Sequence, residues 1–213
     1  MLDLLTWGTP NGHKVHIMLE ECAAPYRIHP ANIHDKERFL SLLSPLSVNP
    51  KIPVLVDNDT RDGQRVTVCE SGAILIYLAE KYQRFLSNAP VERFASMQWL
   101  MFQMSAVGPM MGQLNHFQAR AHPDDAYARE RFSGEVQRLH DVMEQHLAHN
   151  DFFAGSRYSI ADMAIFPWLR LSEKMGLPWP DFPRLRHWYE RILARPAVQR
   201  ALQLPHISTA APA

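Results

Sequence analysis

The sequence predicts an α+β domain followed by an all-α domain. Short strand-like runs alternate with helical patterns in the first part of the chain, and helical patterns alone occupy the rest of its 213 residues. A polar stretch with a terminal proline, residues 83–90, separates the two parts. We therefore expect domains at 1–82 and 91–204, a linker at 83–90, and a mobile alanine- and proline-rich tail at 205–213.

The chain begins with a β-α-β pattern. Leu2–Trp7 is a mostly apolar run that ends at Gly8, and it predicts the first strand. Thr9-Pro10 supplies a helix N-cap followed by proline at the first helical position, and the helical spacing of apolar residues continues to about Cys22. Tyr26–His29 predicts a second strand. The helical crossover between these strands implies that they pair in parallel.

The remaining elements of the first domain are a weak helix, a hairpin and a buried helix. The weak helix covers about 35–43. Strands at 54–56 and 66–69 flank a polar turn at 57–63, which indicates a hairpin. The helix at 71–82 is apolar on most of its sides, so we expect it to be buried. The resulting order, β-α-β-α-β-β-α, is that of a thioredoxin-like domain.

The second domain contains only helical patterns. A glycine-proline pair at 108–109 predicts a kink in its first long helix. Ser159 and Asp162 have the spacing of a capping box, so a helix begins there for structural reasons. The predicted helices are 91–117, 127–149, one opening at 159, 182–195 and 197–202.

Composition excludes several classes of partner. Lys plus Arg and Asp plus Glu number 22 each, so we expect no nucleic-acid partner. No apolar run approaches the ~20 residues that span a bilayer, and the first residues do not resemble a signal peptide. Cys22 and Cys69 are the only cysteines, and with the histidines they form no metal-binding spacing. We expect a reducing, cytoplasmic location, no membrane association and no metal.

Two segments of the first domain suggest a site for a small peptide. Pro53 lacks an N–H, so the backbone of Ile52 before the strand is left without a complete ladder partner and can bind a peptide as an added strand would. Glu70 and Ser71 lie where a strand gives way to a helix. The free N–H groups and positive potential of a helix N-terminus hold a carboxylate well. The two segments could bind both ends of one peptide.

A third segment, Thr9-Pro10-Asn11-Gly12, follows the first strand, where thioredoxin-like folds place their reactive group. In one interpretation, this segment serves only as a helix N-cap. The other is functional: the segment contains no Cys, Ser or Tyr, so a reactive thiol would have to come from the ligand. Thr9, Asn11 and the helix N-terminus would then supply hydrogen bonds and potential that stabilise a thiolate.

These motifs together resemble a cytosolic glutathione transferase over about residues 1–203. The similarity is carried by Lys51–Asp57 (KIPVLVD), Glu70–Leu78 (ESGAILIYL) and Ser159–Asp162 (SIAD). The resemblance implies the glutathione transferase fold, glutathione as cosubstrate and a homodimer.

Further motifs are similar to the bacterial Nu class of this family, which reduces disulfides without a protein cysteine. They are Thr9–Lys14 (TPNGHK), Val107–Gln113 (VGPMMGQ) and Tyr158–Asp162 (YSIAD). The class binds two glutathiones or one glutathione disulfide. By this resemblance Thr9 and Asn11 are the catalytic residues near the sulfur, and the bond before Pro53 is cis. The implied glutathione-binding residues are Thr9, Asn11, Arg38, Lys51, Ile52, Pro53, Glu70, Ser71 and Arg131.

Three functions remain open from the sequence. The first is glutathione-dependent reduction of a small disulfide, in which a bound glutathione thiolate attacks and a second glutathione resolves the mixed disulfide. The second is conjugation of glutathione to a small electrophile. The third is non-catalytic binding of glutathione or another ligand.

Overall fold

A computed structural model describes residues 1–60, 62–120 and 125–205 of the chain. It divides into two compact units. The sheet unit consists of Met1–Tyr82 and the segment that begins at Arg195, and the helical unit is Gln83–Ala194. The predicted tail at 205–213 lies, apart from Pro205, outside the described residues.

The sheet unit contains the predicted element order, β-α-β-α-β-β-α, so the expected α+β fold is confirmed. Each element lies within one or two residues of its predicted range. The bounds are β1 Leu2–Thr6, α1 Pro10–Glu21, β2 Tyr26–Pro30, α2 Lys36–Leu43, β3 Val54–Asp57, β4 Val66–Val68 and α3 Ser71–Tyr82.

The four strands form one mixed sheet in the order β2-β1-β3-β4. β1 and β2 are parallel, as the helical crossover predicted, and β3 runs antiparallel to β1. β3 and β4 form the predicted antiparallel hairpin. α3 buries most of its apolar residues, including Ile74, Leu75 and Leu78, which agrees with its sequence pattern.

The helical unit contains five α-helices within the described residues. They are α4 Pro90–Phe102, α5 Gly108–Arg120, α6 Ala126–His146, α7 Ile160–Leu169 and α8 Pro183–Leu193. The predicted capping box is present. The Ser159 side chain accepts a hydrogen bond from the backbone N–H of Asp162, and the Asp162 side chain accepts one from the backbone N–H of Ser159. Asp162 is fully buried and also accepts hydrogen bonds from Trp188 Nε1 and the Phe153 N–H. This carboxylate therefore joins three segments of the unit.

The long helix predicted at 91–117 is divided by a π-helical turn, Gln103–Val107. We expected a kink at Gly108-Pro109, and the irregular turn instead lies just before this pair. Pro109 has no N–H to donate to the preceding turn. The Gly108 N–H bonds the Gln103 carbonyl five residues earlier, so the backbone pattern changes there from α to π.

A final short helix, α9 Pro196–Ala201, belongs to the sheet unit and packs on α1. Two ion pairs accompany this packing, Arg195 with Glu21 and Arg200 with Glu20. The helical unit thus ends earlier than the domain predicted at 91–204. The sequence pattern of a short helix does not indicate which unit it belongs to.

Among the helices in the described ranges, none has the length and apolarity that crossing a membrane requires.

Candidate functional site

Sheet register brings three chain segments to one edge of the sheet. β1 and β3 are antiparallel with Leu5 opposite Val54, so the carboxyl end of β1 lies beside the amino end of β3. β3 and β4 are antiparallel with Leu55 opposite Val68, so the carboxyl end of β4 lies at the same edge. The residues that follow β1, precede β3 and follow β4 therefore converge.

The predicted site segments occupy these three positions. Thr9 and Asn11 follow β1, Ile52 precedes β3, and Glu70 follows β4. Ile52 lies two residues before Val54, where the register with β1 begins, so it is outside the ladder as expected. The sheet topology supports the idea that the three segments serve one site.

Thr9 is the N-cap of α1, which confirms the predicted cap. Its backbone is extended (φ −115°, ψ 162°), and its Oγ1 accepts a hydrogen bond from the Gly12 N–H at 3.3 Å. Accepting this bond leaves the hydroxyl hydrogen to serve as a donor. Asn11, half-buried in the first turn, adds an amide with two N–H donors.

Gly12 allows this turn to form. A Cβ at position 12 would lie 2.2 Å from the Trp7 carbonyl oxygen and 2.7 Å from Thr6 Oγ1. The first of these atoms belongs to the backbone, so any larger residue would displace the segment between β1 and α1. The close approach of α1 to the end of β1 therefore requires glycine.

The Ile52–Pro53 peptide bond is cis, as the resemblance implied. Pro53 is buried, and Ile52 packs against a core cluster that includes Leu5, Leu43 and Val54. This packing holds the segment before β3 between α2 and the sheet. The backbone of Ile52 is thereby held at the sheet edge where the three segments converge.

Glu70 and Ser71 form the entry to α3. Glu70 is exposed and has φ 66°, a left-handed conformation that costs a non-glycine residue about 1 kcal/mol. Ser71 is the first residue of α3 and is buried. Strained backbone that packing holds in place is typical of ligand-binding segments.

Lys14 was not among the predicted site residues. Its side chain is 1% exposed, and its Nζ donates a hydrogen bond to Ser71 Oγ at 3.2 Å. A signal was present, because Lys14 is four residues before the buried Met18 and so shares its face of α1. A lysine in such a position is ordinarily assigned to solvent.

Neither cysteine lies at the N-terminus of α1. Cys22 is the C-cap residue at the opposite end of that helix. Cys69 ends the β4 segment, and its side chain packs against the core cluster of Leu5 and Val54, with Sγ 3.9 Å from the Leu46 carbonyl oxygen. Neither cysteine is part of a disulfide bond. The expected cytoplasmic location stays a prediction.

The three cations proposed for ligand contact are all exposed. Arg38 lies in the first turn of α2, where its backbone N–H donates a hydrogen bond to the side chain of the N-cap residue Asp35, and Lys51 precedes Ile52. Arg131 lies on α6 in the helical unit, beside a shallow cavity of about 470 Å³. Their contacts with a ligand stay predictions. The described residues contain no group of three or more His, Cys, Asp or Glu side chains that could hold a metal ion.

Comparison with known proteins identifies the family. Residues 9–81 match the glutathione S-transferase N-terminal domain and residues 105–196 the C-terminal domain. The chain is 40% identical over 203 residues to the Escherichia coli disulfide-bond oxidoreductase YfcG, covering 95% of this chain and 94% of that one.

Two solved structures are similar in fold and sequence. A glutathione transferase from Burkholderia graminis, with two glutathione molecules bound per subunit, has a TM-score of 0.90 and 39% identity, covering 96% of this chain and 88% of that one. One from Pseudomonas putida, with one glutathione disulfide bound per subunit, has a TM-score of 0.88 and 39% identity, covering 96% and 91%. With both family domains and a 40% identical relative that matches along nearly its whole length, the chain belongs to the glutathione S-transferase family.

Proposed function

We propose that this protein is a glutathione-dependent disulfide reductase whose nucleophile is the thiolate of bound glutathione. One observation carries the proposal: the N-terminus of α1, with Thr9 as its cap and Asn11 in its first turn, lies at the same sheet edge as the two segments predicted to bind a peptide, and neither cysteine lies there. A sulfur at this helix end gains hydrogen-bond donors and positive potential.

The two other segments suit the ends of the tripeptide. The backbone N–H and C=O of Ile52 bond the cysteinyl unit as an added strand would. The carboxylate of Glu70 receives the α-amino group of the γ-glutamyl unit. The Ser71 hydroxyl and the free N–H groups at the start of α3 receive its α-carboxylate. This orientation directs the cysteine sulfur toward α1.

The reaction then proceeds by two thiol–disulfide exchanges. Bound glutathione loses its thiol proton to water, and its thiolate attacks one sulfur of a small disulfide, forming a mixed disulfide and releasing one thiolate. The thiolate of a second glutathione attacks the glutathione sulfur of that mixed disulfide. The products are glutathione disulfide and the second thiolate, and both released thiolates take up protons. Two glutathiones are oxidised for each disulfide reduced.

The relatives support this choice over the conjugation of electrophiles. The E. coli relative is named a disulfide-bond oxidoreductase, and the two solved structures hold two glutathiones or one glutathione disulfide in each subunit. Two bound glutathiones correspond to the reductant of the reaction above, and glutathione disulfide is its product.

The first test compares wild-type protein with a Cys22→Ser/Cys69→Ser variant. We expect both to accelerate the reduction of 2-hydroxyethyl disulfide by glutathione, measured by coupling to glutathione reductase and NADPH. Their kcat/KM values should agree within about threefold, because the reacting sulfur belongs to the ligand. Loss of activity in the variant would assign the nucleophile to the protein. Faster reaction with an aryl chloride than with the disulfide would favour conjugation.

The second test is Asn11→Ala. Removing a donor to a developing or stable thiolate costs about 1.5–3 kcal/mol, so we expect kcat/KM for the disulfide to fall about ten- to a hundredfold. The matched control is Asn150→Ala in the helical unit, where the side-chain amide donates to the His146 carbonyl, and it should leave kcat/KM unchanged. Unchanged turnover in Asn11→Ala would remove Asn11 from the mechanism.

We also propose that the protein is a homodimer. α4 presents large apolar side chains to solvent on one face, since Val91 is 85% exposed, Phe94 70% and Met101 48%. Their spacing of three and seven residues keeps them on the same side of the helix. An unpartnered apolar face of this kind is typical of a subunit interface.

A further inference from the structure

The helical unit contains a cavity that the function proposed above does not use. Its volume is about 540 Å³, within the ~300–1,000 Å³ range of small-molecule sites. It lies between the segment 83–96, which leads into α4, and the loop 154–159 before α7. Its described lining residues all belong to the helical unit, whereas Thr9, Ile52 and Glu70 belong to the sheet unit. The cavity is therefore lined by different residues from the candidate glutathione site.

Backbone contacts hold both walls of this cavity in place. The Phe85 carbonyl accepts a hydrogen bond at 3.0 Å from the N–H of Ile160, the first residue of α7. Phe85 has φ 64°, a left-handed conformation that is unfavourable for a non-glycine residue. In the opposite wall, Phe152 and Gly155 exchange backbone hydrogen bonds of 2.8 and 3.1 Å. The wall at Phe85 is thus held in a strained conformation, as is common where proteins bind ligands.

Part of the cavity lining is aromatic. The rings of Phe85 and Tyr158 contact each other edge to face, with their centroids 5.7 Å apart, and both residues are partly buried. Leu86, which is almost fully buried, adds apolar surface to the lining. An aromatic ligand could pack against these rings, because aromatic pairs are favourable in edge-to-face or offset-stacked arrangements.

The charged part of the lining is one ion pair. Of the described residues that line the cavity, Glu92 on α4 and Arg157 in the opposite loop are the two with charged side chains, and Arg157 Nη2 donates to Glu92 Oε2. Both side chains are partly exposed, Glu92 at 43% and Arg157 at 72%. Hydrogen bonds from Ser87 and Arg157 lower the pKa of Glu92, so it is ionised at neutral pH. The cavity therefore presents one negative and one positive group side by side.

Both head groups can bind further charges without losing their own pairing. A guanidinium has five N–H donors, and a carboxylate has two oxygens with about four acceptor positions. Glu92 can accept from an ammonium group while Arg157 donates to a carboxylate, so that positive and negative groups alternate around a closed ring. Because the two head groups are in contact, the ring closes only on a ligand whose own two charges are adjacent.

We propose that this cavity binds a free α-amino acid with an aromatic side chain, as its zwitterion. The ammonium group contacts Glu92, the carboxylate contacts Arg157, and the ring packs against Phe85 and Tyr158. An α-amino acid has its two charged groups on a single carbon, which matches the adjacent head groups of the ion pair. The proposal does not depend on the binding of glutathione.

The test measures the affinity of wild-type protein for four ligands by calorimetry. L-Phenylalanine has the full charge pattern, N-acetyl-L-phenylalanine lacks the ammonium group, and L-phenylalaninamide lacks the carboxylate. 4-(Aminomethyl)benzoate retains a ring and both charges but places the charges at opposite ends of the ring. We expect phenylalanine to bind about three- to tenfold more tightly than each of the others, a modest factor because the head groups are partly exposed.

Two substitutions assign the charges to their partners. Arg157→Gln should weaken phenylalanine and N-acetylphenylalanine about three- to tenfold, and it should not weaken phenylalaninamide. Glu92→Gln should weaken phenylalanine and phenylalaninamide by a similar factor, and it should not weaken N-acetylphenylalanine. Glu135→Gln and Arg138→Gln are the matched controls, because these residues form another partly exposed ion pair of the helical unit. The controls should leave all four affinities unchanged.

Competition shows which site the amino acid occupies. Glutathione in excess should not displace phenylalanine. Displacement would place the amino acid at the segments proposed for glutathione and would overturn the inference. Equal affinity for the four ligands, or no binding of phenylalanine to wild-type protein, would overturn it as well. The disulfide reductase assay is independent of these measurements, so the proposed function stands or falls separately.

Discussion

Two side chains of α1 differ from what their residue types suggest. Lys14 and His16 belong to residue types that are usually solvated or half-exposed, yet both are buried. α1 packs against both α3 and α9, so more than one of its faces is covered.

His16 should make folding sensitive to acid. Burial lowers its pKa to about 3 from 6.5, and the charge of His13 acts in the same direction. Between these values the unfolded chain binds a proton that the folded chain does not, so stability is full above about pH 6.5 and falls as the pH decreases. Each pH unit below 6.5 costs about 1.4 kcal/mol, so at pH 5.0 the free energy of unfolding is lower by about 2 kcal/mol.

The measurement is urea unfolding at pH 7.5 and pH 5.0. Methionine has a volume similar to that of histidine and does not titrate. Between pH 7.5 and pH 5.0, the free energy of unfolding of His16→Met should therefore decrease by about 2 kcal/mol less than that of wild-type protein. His34→Met changes an exposed histidine of the same unit and should behave as wild type. Equal acid sensitivity in all three proteins would show that His16 does not cause it.

At the scale of elements, the first turn of α1 connects packing to the site. Gly12→Ala would place a Cβ 2.2 Å from the Trp7 carbonyl oxygen, so the backbone carrying Thr9 and Asn11 must shift. We expect a destabilisation of about 1–3 kcal/mol and a decrease of disulfide reduction by about tenfold or more. Thermal unfolding and the coupled NADPH assay measure the two effects.

Gly134→Ala is the control for this substitution. Gly134 lies on α6, and a Cβ there meets no atom within 4 Å, so alanine should raise stability by about 0.5–1 kcal/mol without loss of activity. A Gly12→Ala variant as active as Gly134→Ala would contradict the requirement for glycine at position 12.

Local sequence rules predicted most elements but not every contact between them. The cap at Thr9 and the capping box at Ser159–Asp162 were predictable, because each depends on residues within four positions. The bond from Trp188 to Asp162 joins residues 26 positions apart, and no local pattern encodes it. The same holds for Lys14 and Ser71, which are 57 positions apart.

At the scale of the whole chain, the division into a sheet part and a helical part followed from the end of the strand patterns near residue 82. The sequence put the three candidate segments at the ends of strands but did not predict the antiparallel pairing of β3 with β1, which brings them to one edge. The membership of α9 in the sheet unit did not follow, since a six-residue helix packs by tertiary contact rather than by its own pattern.

The proposed dimer can be tested through the apolar face of α4. In a symmetric interface one substitution appears twice. Phe94→Asp would therefore either bury two carboxylates in the interface or prevent the subunits from associating. We expect sedimentation velocity to give a dimer for wild-type protein and a monomer for Phe94→Asp, with unchanged helical content. Tyr127→Asp, at an exposed aromatic residue of α6, should remain dimeric. A monomeric wild-type protein, or a dimeric Phe94→Asp variant, would exclude this face as the interface.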